Sequence, residues 1–467
     1  MTVINRTIWT VLLTAGVGAA ALSAGPGRAR QQPPPAPQTT PPPQQPSEIT
    51  TTISGGPGAP PRLAVPDFIA LSPDAETAAV AKAIAPVLFD DLNFEKEFAL
   101  IPRDTYATIP TAKSFEDVPF ERWRELNADG VVAGTVQKTG TGVHVEIRLL
   151  NVRTKTQAFG KSYDGSAANP RLYAHTISDE LHMSQRGLRG VARTKLTFDS
   201  DRDGERMSGT IESRSVKEIY IADYDGSGQR RVTVNRSLNI MPTWSPDGRS
   251  IAYTSYKRTL PNIFISNIYQ GTMEELTKGG ANNYLAAWSP DGTRLCFASN
   301  RDGAGNIELY VINRDGSNLR RLTNHPAADT TPTWAPNGSL IAFVSDRTGT
   351  PQIYTIGADG LGLRQITRES YADRPSWSSG TSNEIAYAAR NGPGFDIKVL
   401  ELASGQVRQL TFGEGTNESP TWAPNGRHLA FTSTRLGKTQ VFVMGRDGKN
   451  VKQITNTGNN YQPDWSK

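Results

Sequence analysis

Six tryptophans divide the second half of this chain into near-equal lengths. Trp244, Trp288, Trp334, Trp377, Trp422 and Trp465 recur at intervals of 44, 46, 43, 45 and 43 residues, and a fixed period in this range signals one supersecondary unit repeated along the chain. In the unit at 332–367 the segments "PTW", "LIAFVS", "QIYTIG" and "LRQIT" read as four short strands. A tight turn joins the first two, "SPDG" at 245–248 and 289–292 or "APNG" at 335–338 and 423–426, and a second turn such as "RDGSN" (314–318) joins the last two. Four antiparallel strands repeated six times predict a six-bladed β-propeller. The last unit has only its first strand, "YQPDWSK" (461–467). Its missing strands are expected at the start of the repeat region, where "KLTFDSDR" (195–202) and "EIYIADYDGSGQRRVT" (218–233) match the later units. Such a closure abolishes open sheet edges.

Upstream, the chain changes character several times. Residues 1–29 carry an early Arg6, an apolar stretch from Ile8 to Leu22 and small residues, which together read as a secretory signal cleaved after Ala24 or Ala29. Residues 30–47 are a Pro-rich linker ("QQPPPAPQTTPPPQQP" at 31–46) that favours extended geometry. Residues 48–61 read as an extended segment with backbone groups to offer a partner. Residues 62–190 alternate strand and helix patterns: "RLAVPDFIAL", a helix capped at Ser72, "FALIPR", a helix near "PFERWRELNA", two strands across "GVVAGTVQKTGTGVHVEIRLLNV", and a helix in "PRLYAHTISDELHM". The expectation is a small α/β domain followed by the propeller at 191–467.

Net charge is +5, but Arg6, Arg28 and Arg30 lie in or beside the cleaved segment. The mature chain is nearly neutral, which argues against nucleic acid. The single cysteine, Cys296, rules out an internal disulfide and is expected in a buried strand. His175 and His182 lack metal spacing and are expected to solvate or cap one helix. Asp199, Asp201 and Asp203 spell the opening of a calcium loop, yet Thr210 stands where a bidentate Glu belongs, and "SDRDG" (200–204) repeats "SNRDG" (299–303). Loop chemistry is the expected reading there and calcium the alternative; no metal site and no cofactor is assigned. "GKT" (437–439) falls in a hairpin loop and lacks the first glycine of a phosphate loop. No nucleophile elbow or paired carboxylate stands out, so no catalytic residue is assigned.

In each blade the tight turns lie at one end, and variable loops lie at the other. Variable loops on a rigid ring are where partners bind. The mouth on that face is expected to be surrounded by Asn282, Asn283, Tyr284, Asp329, Thr330, Tyr371, Asp373, Arg374, Asn417, Glu418, Asn460 and Tyr461.

The order of domains, together with "RLAVPDF", "AHTISDEL" and "IYIADYDGSGQRRVT", resembles the TolB family, the soluble periplasmic component of bacterial Tol-Pal systems. The resemblance spans residues 48–467. It implies a non-enzymatic, monomeric periplasmic adaptor, without membrane insertion after signal cleavage, that supports outer-membrane integrity and constriction at division. It also implies two partners: a Pal-like outer-membrane lipoprotein at the mouth, with Asn282, Leu285 and Thr330 among its contacts, and a TolA-like inner-membrane protein at Glu48, Ile49, Thr50, Thr51, Thr52 and Ile53. That segment would act by adding a strand to a partner sheet. The rival classes are a propeller enzyme, either a gated peptidase or a polysaccharide-degrading enzyme, and a calcium- or sugar-binding propeller.

Overall fold

A computed structural model describes residues 51–55, 59–206, 215–303, 305–380 and 383–467. The expected signal, the linker and residues Glu48, Ile49 and Thr50 lie outside the described residues. Among the described residues no helix is long and apolar enough to cross a membrane.

The α/β region is one sheet with strand order Ala99–Leu100, Arg62–Ala64, Gly130–Thr139, Gly142–Asn151, Gln157–Gly165, to which Ile69–Ala70 adds beside Gly130–Thr139. Arg62–Ala64 runs parallel to both its neighbours, and the long hairpin 130–151 is antiparallel. Helices α1 (Ala75–Glu95) and α3 (Pro170–Arg186) bury Ile84, Leu88, Ile177 and Leu181 on one sheet face. The other face is covered by the segment carrying the short helix α2 (Phe120–Glu125), through Ile101, Val118 and Trp123. The α1 cap differs from expectation. Asp74, not Ser72, accepts from the Thr77 N–H at 2.9 Å, while Ser72 Oγ accepts from Lys138 N at 3.0 Å. A carboxylate two residues later reaches the free helical donors better, and the serine is drawn to the sheet.

The propeller has six sheets of four strands among the described residues. Blade 1 comprises Asn239–Trp244, Ser250–Ser255, Asn262–Asn267 and Thr272–Glu275; blades 2 to 5 begin at Asn283, Asp329, Ala372 and Asn417. Blade 6 is composite, in the order Asn460–Trp465, Lys195–Ser200, Glu218–Asp223, Arg230–Arg231. Its closing strand pairs Asn460 with Ser200 and Trp465 with Leu196. Trp465 is 3% exposed, packs with Val191, Phe198 and Val441, and donates through Nε1 to Thr194 Oγ1 at 2.7 Å. Asp464 bolts the ring on both sides, accepting from Trp244 N (2.7 Å) in blade 1 and Thr421 Oγ1 (3.0 Å) in blade 5. The tight turns recur as expected: Gly248 closes onto Ser245 O with φ of 66°, a left-handed conformation that glycine adopts without strain.

Those turns also do something their sequence did not suggest. In blades 5 and 6 they carry the α/β domain. Glu95, at the end of α1, accepts from Val191 N (2.8 Å) and is ion-paired with Arg427, next to Asn425 in the blade 5 turn. Asp91 accepts from Tyr224 Oη at 2.7 Å and pairs with His175 Nδ1 at 2.8 Å, and the Phe94 ring stacks on His428 at 4.5 Å. Arg171 pairs with Asp225. His175 and His182 therefore do not solvate α3: both are buried, and His182 Nδ1 donates to Ser178 O. Among the described residues the domain contacts the tight-turn face, through Glu95, Asp91 and Phe94, and the mouth lies at the opposite end of the blades.

Candidate functional site

The innermost strand of every blade reads as a six-residue phrase: "NIMPTW", "NYLAAW", "DTTPTW", "ADRPSW", "NESPTW", "NYQPDW". Its first two and last two residues pair with the second strand, and a bulge interrupts the ladder between them. In blade 1, Met241 and Pro242 stand opposite Tyr253 alone. The third residue is left-handed in all six blades: Met241 (58°), Leu285 (60°), Thr331 (45°), Arg374 (56°), Ser419 (52°) and Gln462 (52°). None is glycine. A left-handed β-branched threonine is a conformational outlier, and each such residue costs on the order of 1–3 kcal/mol. Six equivalent costs need a return, and a bulge re-aims a side chain. Here the third, fourth and fifth residues of all six blades line the axial channel, a cavity of about 160 Å³.

The wall is not uniform. Blades 1 and 2 contribute Met241 and Leu285 to it, preceded in their strands by Ile240 and Tyr284; blade 4 contributes Arg374, preceded by Asp373, and Glu418 precedes the lining Ser419 of blade 5. Arg374 Nε lies 3.9 Å from Asp373, and Arg374 opposes the burial that raises the Glu418 carboxyl. Tyr461 presents its ring to Lys217 Nζ at 3.3 Å. The mouth thus has an apolar side and a charged side. Apolar anchors beside oriented charges are features that protein-binding patches share in general.

Of the residues expected here, Leu285 and Arg374 line the channel, and Tyr284, Thr330, Tyr371, Asp373, Glu418 and Tyr461 are half-buried around it. Asn282 is half-buried, with its N–H donating to Asn300 Oδ1 at 2.8 Å. Four expectations are corrected. Asn283, Asp329, Asn417 and Asn460 are each 0% exposed. As first residues of the phrase they receive the arginine of the S-x-R repeat: Arg301 to Asn283 (2.7 Å), Arg347 to both Asp329 oxygens (2.9 Å), Arg435 to Asn417 (3.0 Å) and Arg202 to Asn460 (2.7 Å). Each guanidinium also lies over the aromatic pair of its own blade, as Arg347 does at 4.9 Å from Tyr354. They hold the blade together and offer nothing to a partner. Conversely, Met241, Thr331, Ser419 and Gln462 were not expected at the mouth. Their signal is the position preceding "P-x-W", which five of the six phrases carry.

The calcium alternative meets three separately engaged carboxylates. Asp199 is buried and pairs with Lys217 at 3.1 Å, its carboxyl pushed up to about 6 by burial despite that lysine. Asp201 accepts from Asn459 N at 2.7 Å, and Asp203 accepts from Tyr220 Oη at 2.7 Å and pairs with Arg231 at 3.0 Å. Among the described residues no group of three acidic, histidine or cysteine side chains is arranged to hold a metal.

At the segment expected to meet a TolA-like partner, the described part is docked on its own domain. Thr51 N donates to Ala158 O (3.0 Å), and Gln185 brackets the segment, accepting from Ile53 N (3.0 Å) and donating to Thr51 O (3.2 Å). Ile53 is 3% exposed in the α/β core, while Thr51 and Thr52 are exposed.

Comparison with known proteins places this architecture. The profile described as the TolB beta propeller domain matches residues 186–467, and that of the TolB amino-terminal domain matches residues 49–158. The chain belongs to the TolB family. The Tol-Pal system protein TolB of Bordetella pertussis is 30% identical over 388 residues, 82% of this chain and 84% of that one. The protein of the same name from Desulfosudis oleivorans is 32% identical over 189 residues, 40% of this chain and 41% of that one. The crystal structure of TolB from Acinetobacter baumannii superposes with a TM-score of 0.73 at 23% identity, covering 87% of this chain and 97% of that one. That likeness bears on the fold of this TolB family member.

Proposed function

We propose that this chain is a non-enzymatic periplasmic adaptor of a Tol-Pal system, binding a Pal-like outer-membrane lipoprotein at the propeller mouth and a TolA-like inner-membrane protein through residues 48–53, in support of outer-membrane integrity and division. The observation that carries the reading is the ring of six left-handed bulge residues on the face opposite the docked α/β domain. Strain repeated at one level of every blade favours a mouth shaped for a protein surface. Family membership supplies the partner class. Affinity capture of the mature protein from a detergent-solubilised envelope, with and without residues 30–54, tests both halves. Recovery of both partners by the longer form, and loss of only the TolA-like one on truncation, is the expected result; recovery of neither rejects the adaptor.

The docked segment adds a quantitative expectation. A strand is available to a partner sheet only when it is off its own domain, so the Gln185 bracket competes with the TolA-like partner. Gln185→Ala removes two hydrogen bonds of about 1 kcal/mol each and is expected to tighten that binding by up to about 30-fold. Titration calorimetry against the TolA-like C-terminal domain reads this directly, and unchanged affinity means the bracket does not gate the segment.

A further inference from the structure

Blade 1 departs from its neighbours at its outer edge. Its outermost strand, Thr272–Glu275, has four residues, against three in blade 4 and two in each of the others. This strand pairs on its inner side with Asn262–Asn267, and among the described residues its outer side pairs with nothing. Beside it a groove of about 420 Å³ separates blade 1 from the outer strand of blade 6. Two exposed apolar side chains line it, Val234 of blade 6 at 75% exposed and Met273 of blade 1 at 40%. The position after the outer-strand threonine is Lys278, Asn324, Arg368 and Asn456 in four other blades and the exposed Phe412 in the fifth, so the repeat does not impose valine there. The groove also holds Arg230 and Lys257, both exposed, and among the described residues neither has a carboxylate within ion-pair distance. The neighbouring acids are already engaged: Glu275 with Arg258 at 3.4 Å, and Glu274 with Arg314.

We infer that this groove binds an extended acidic segment of a partner protein, which adds as a strand to Thr272–Glu275 and places an apolar side chain between Val234 and Met273. Main-chain pairing to an open edge supplies affinity, and the side-chain pocket supplies specificity. The two unpaired cations select the sign of the flanking charges. Natural propellers blunt such edges, and here the edge is longer than elsewhere and bordered by apolar surface instead. The site lies on the outer side of the ring, so it stands or falls separately from the mouth.

The test uses the full chain labelled at methionine methyl groups, titrated with a capped heptapeptide alternating valine with glutamate, and with the same peptide carrying lysine for glutamate. The acidic peptide is expected to shift the Met273 methyl resonance saturably, and raising salt from about 50 to about 300 mM should weaken it by about threefold or more. The paired charge reversal Arg230→Glu with Lys257→Glu should weaken binding by about tenfold or more while leaving the thermal midpoint in place, since both side chains are exposed. Should that variant fail to fold, the salt dependence and the lysine peptide on the native chain decide. Equal shifts with both peptides, no shift with either, or a shift produced by raising the concentration of the chain alone, which marks a second copy as the occupant, would each overturn the inference.

Discussion

Replacing Trp465 by alanine is expected to lower the thermal midpoint of the propeller by about 6–10 °C, the consequence of about 3–5 kcal/mol at roughly 2 °C per kcal/mol. The side chain is 3% exposed and fills the space between Val191, Phe198 and Val441, so its removal leaves a cavity in the blade that closes the ring. Deleting 461–467 should do more. It removes the pairing with Lys195–Ser200 and the Asp464 bolt to blades 1 and 5. Two sheet edges then open, and calorimetry should show the propeller transition broadened as well as lowered. A deletion that kept the native midpoint would show that the ring does not depend on its closing strand.

The second large effect lies at the junction between the domains. Burial pushes the Glu95 carboxyl up to about 7 and the Asp179 carboxyl up to about 6, outweighing the Arg427 guanidinium beside Glu95 and the Ala192 and Arg193 N–H groups on Asp179. Both folded values lie above the ordinary carboxylate range, so the folded state binds more protons than the unfolded one between about pH 4.5 and 7. Their contribution is fully present below the unfolded values and is lost as pH rises through 6 to 7. For Glu95 alone the change is on the order of 3 kcal/mol. The buried imidazoles of His428, pushed down to about 3, and of His182, also lowered, act in the opposite sense up to about pH 6.5, so thermal scans from about pH 5 to pH 8 should show the falling midpoint most clearly above that pH, and Glu95→Gln should flatten the fall. Arg427→Ala removes the guanidinium paired with Glu95, leaving beside it the His182 ring, whose burial disfavours protonation, and should cost about 3–5 kcal/mol at the upper end of that pH range. A midpoint that rises with pH beyond about pH 6.5 would contradict the burial argument.

How far the sequence could be read depended on how far each feature was repeated. Trp spacing recurs in every blade and the tight-turn phrase in four of them, so the propeller, its strand order and its closure were legible before any coordinate. The mouth was only half legible. Asn283, Asp329, Asn417 and Asn460 are polar and stand beside loops, which on sequence alone looks like surface; the arginine eighteen residues on, or upstream in blade 6, draws them inside. Met241, Thr331, Ser419 and Gln462 were passed over because a left-handed bulge has no local signature in a strand of ordinary residues. The Pro that follows each of them was the available cue. The docking of α1 onto Asn425 and Arg427 was hidden for the opposite reason: "APNGR" reads as one more tight turn. His428, buried where other blades carry Ser250 or Leu340, marks that turn as different.

The proposed Pal-like lipoprotein would engage the apolar and charged sides of the mouth together. Titration calorimetry of the mature chain against the soluble domain of that lipoprotein tests it most directly, using the wild type, Leu285→Glu and Arg374→Glu. Saturable one-to-one binding by the wild type and a loss of about 30-fold or more in each variant are expected, with the folded fraction of each variant read in parallel because Leu285 also packs against the core shared by blades 2 and 3 and Arg374 stands beside Asp373 and Glu418. Absence of binding by the wild type, or equal affinity across all three proteins, would contradict it.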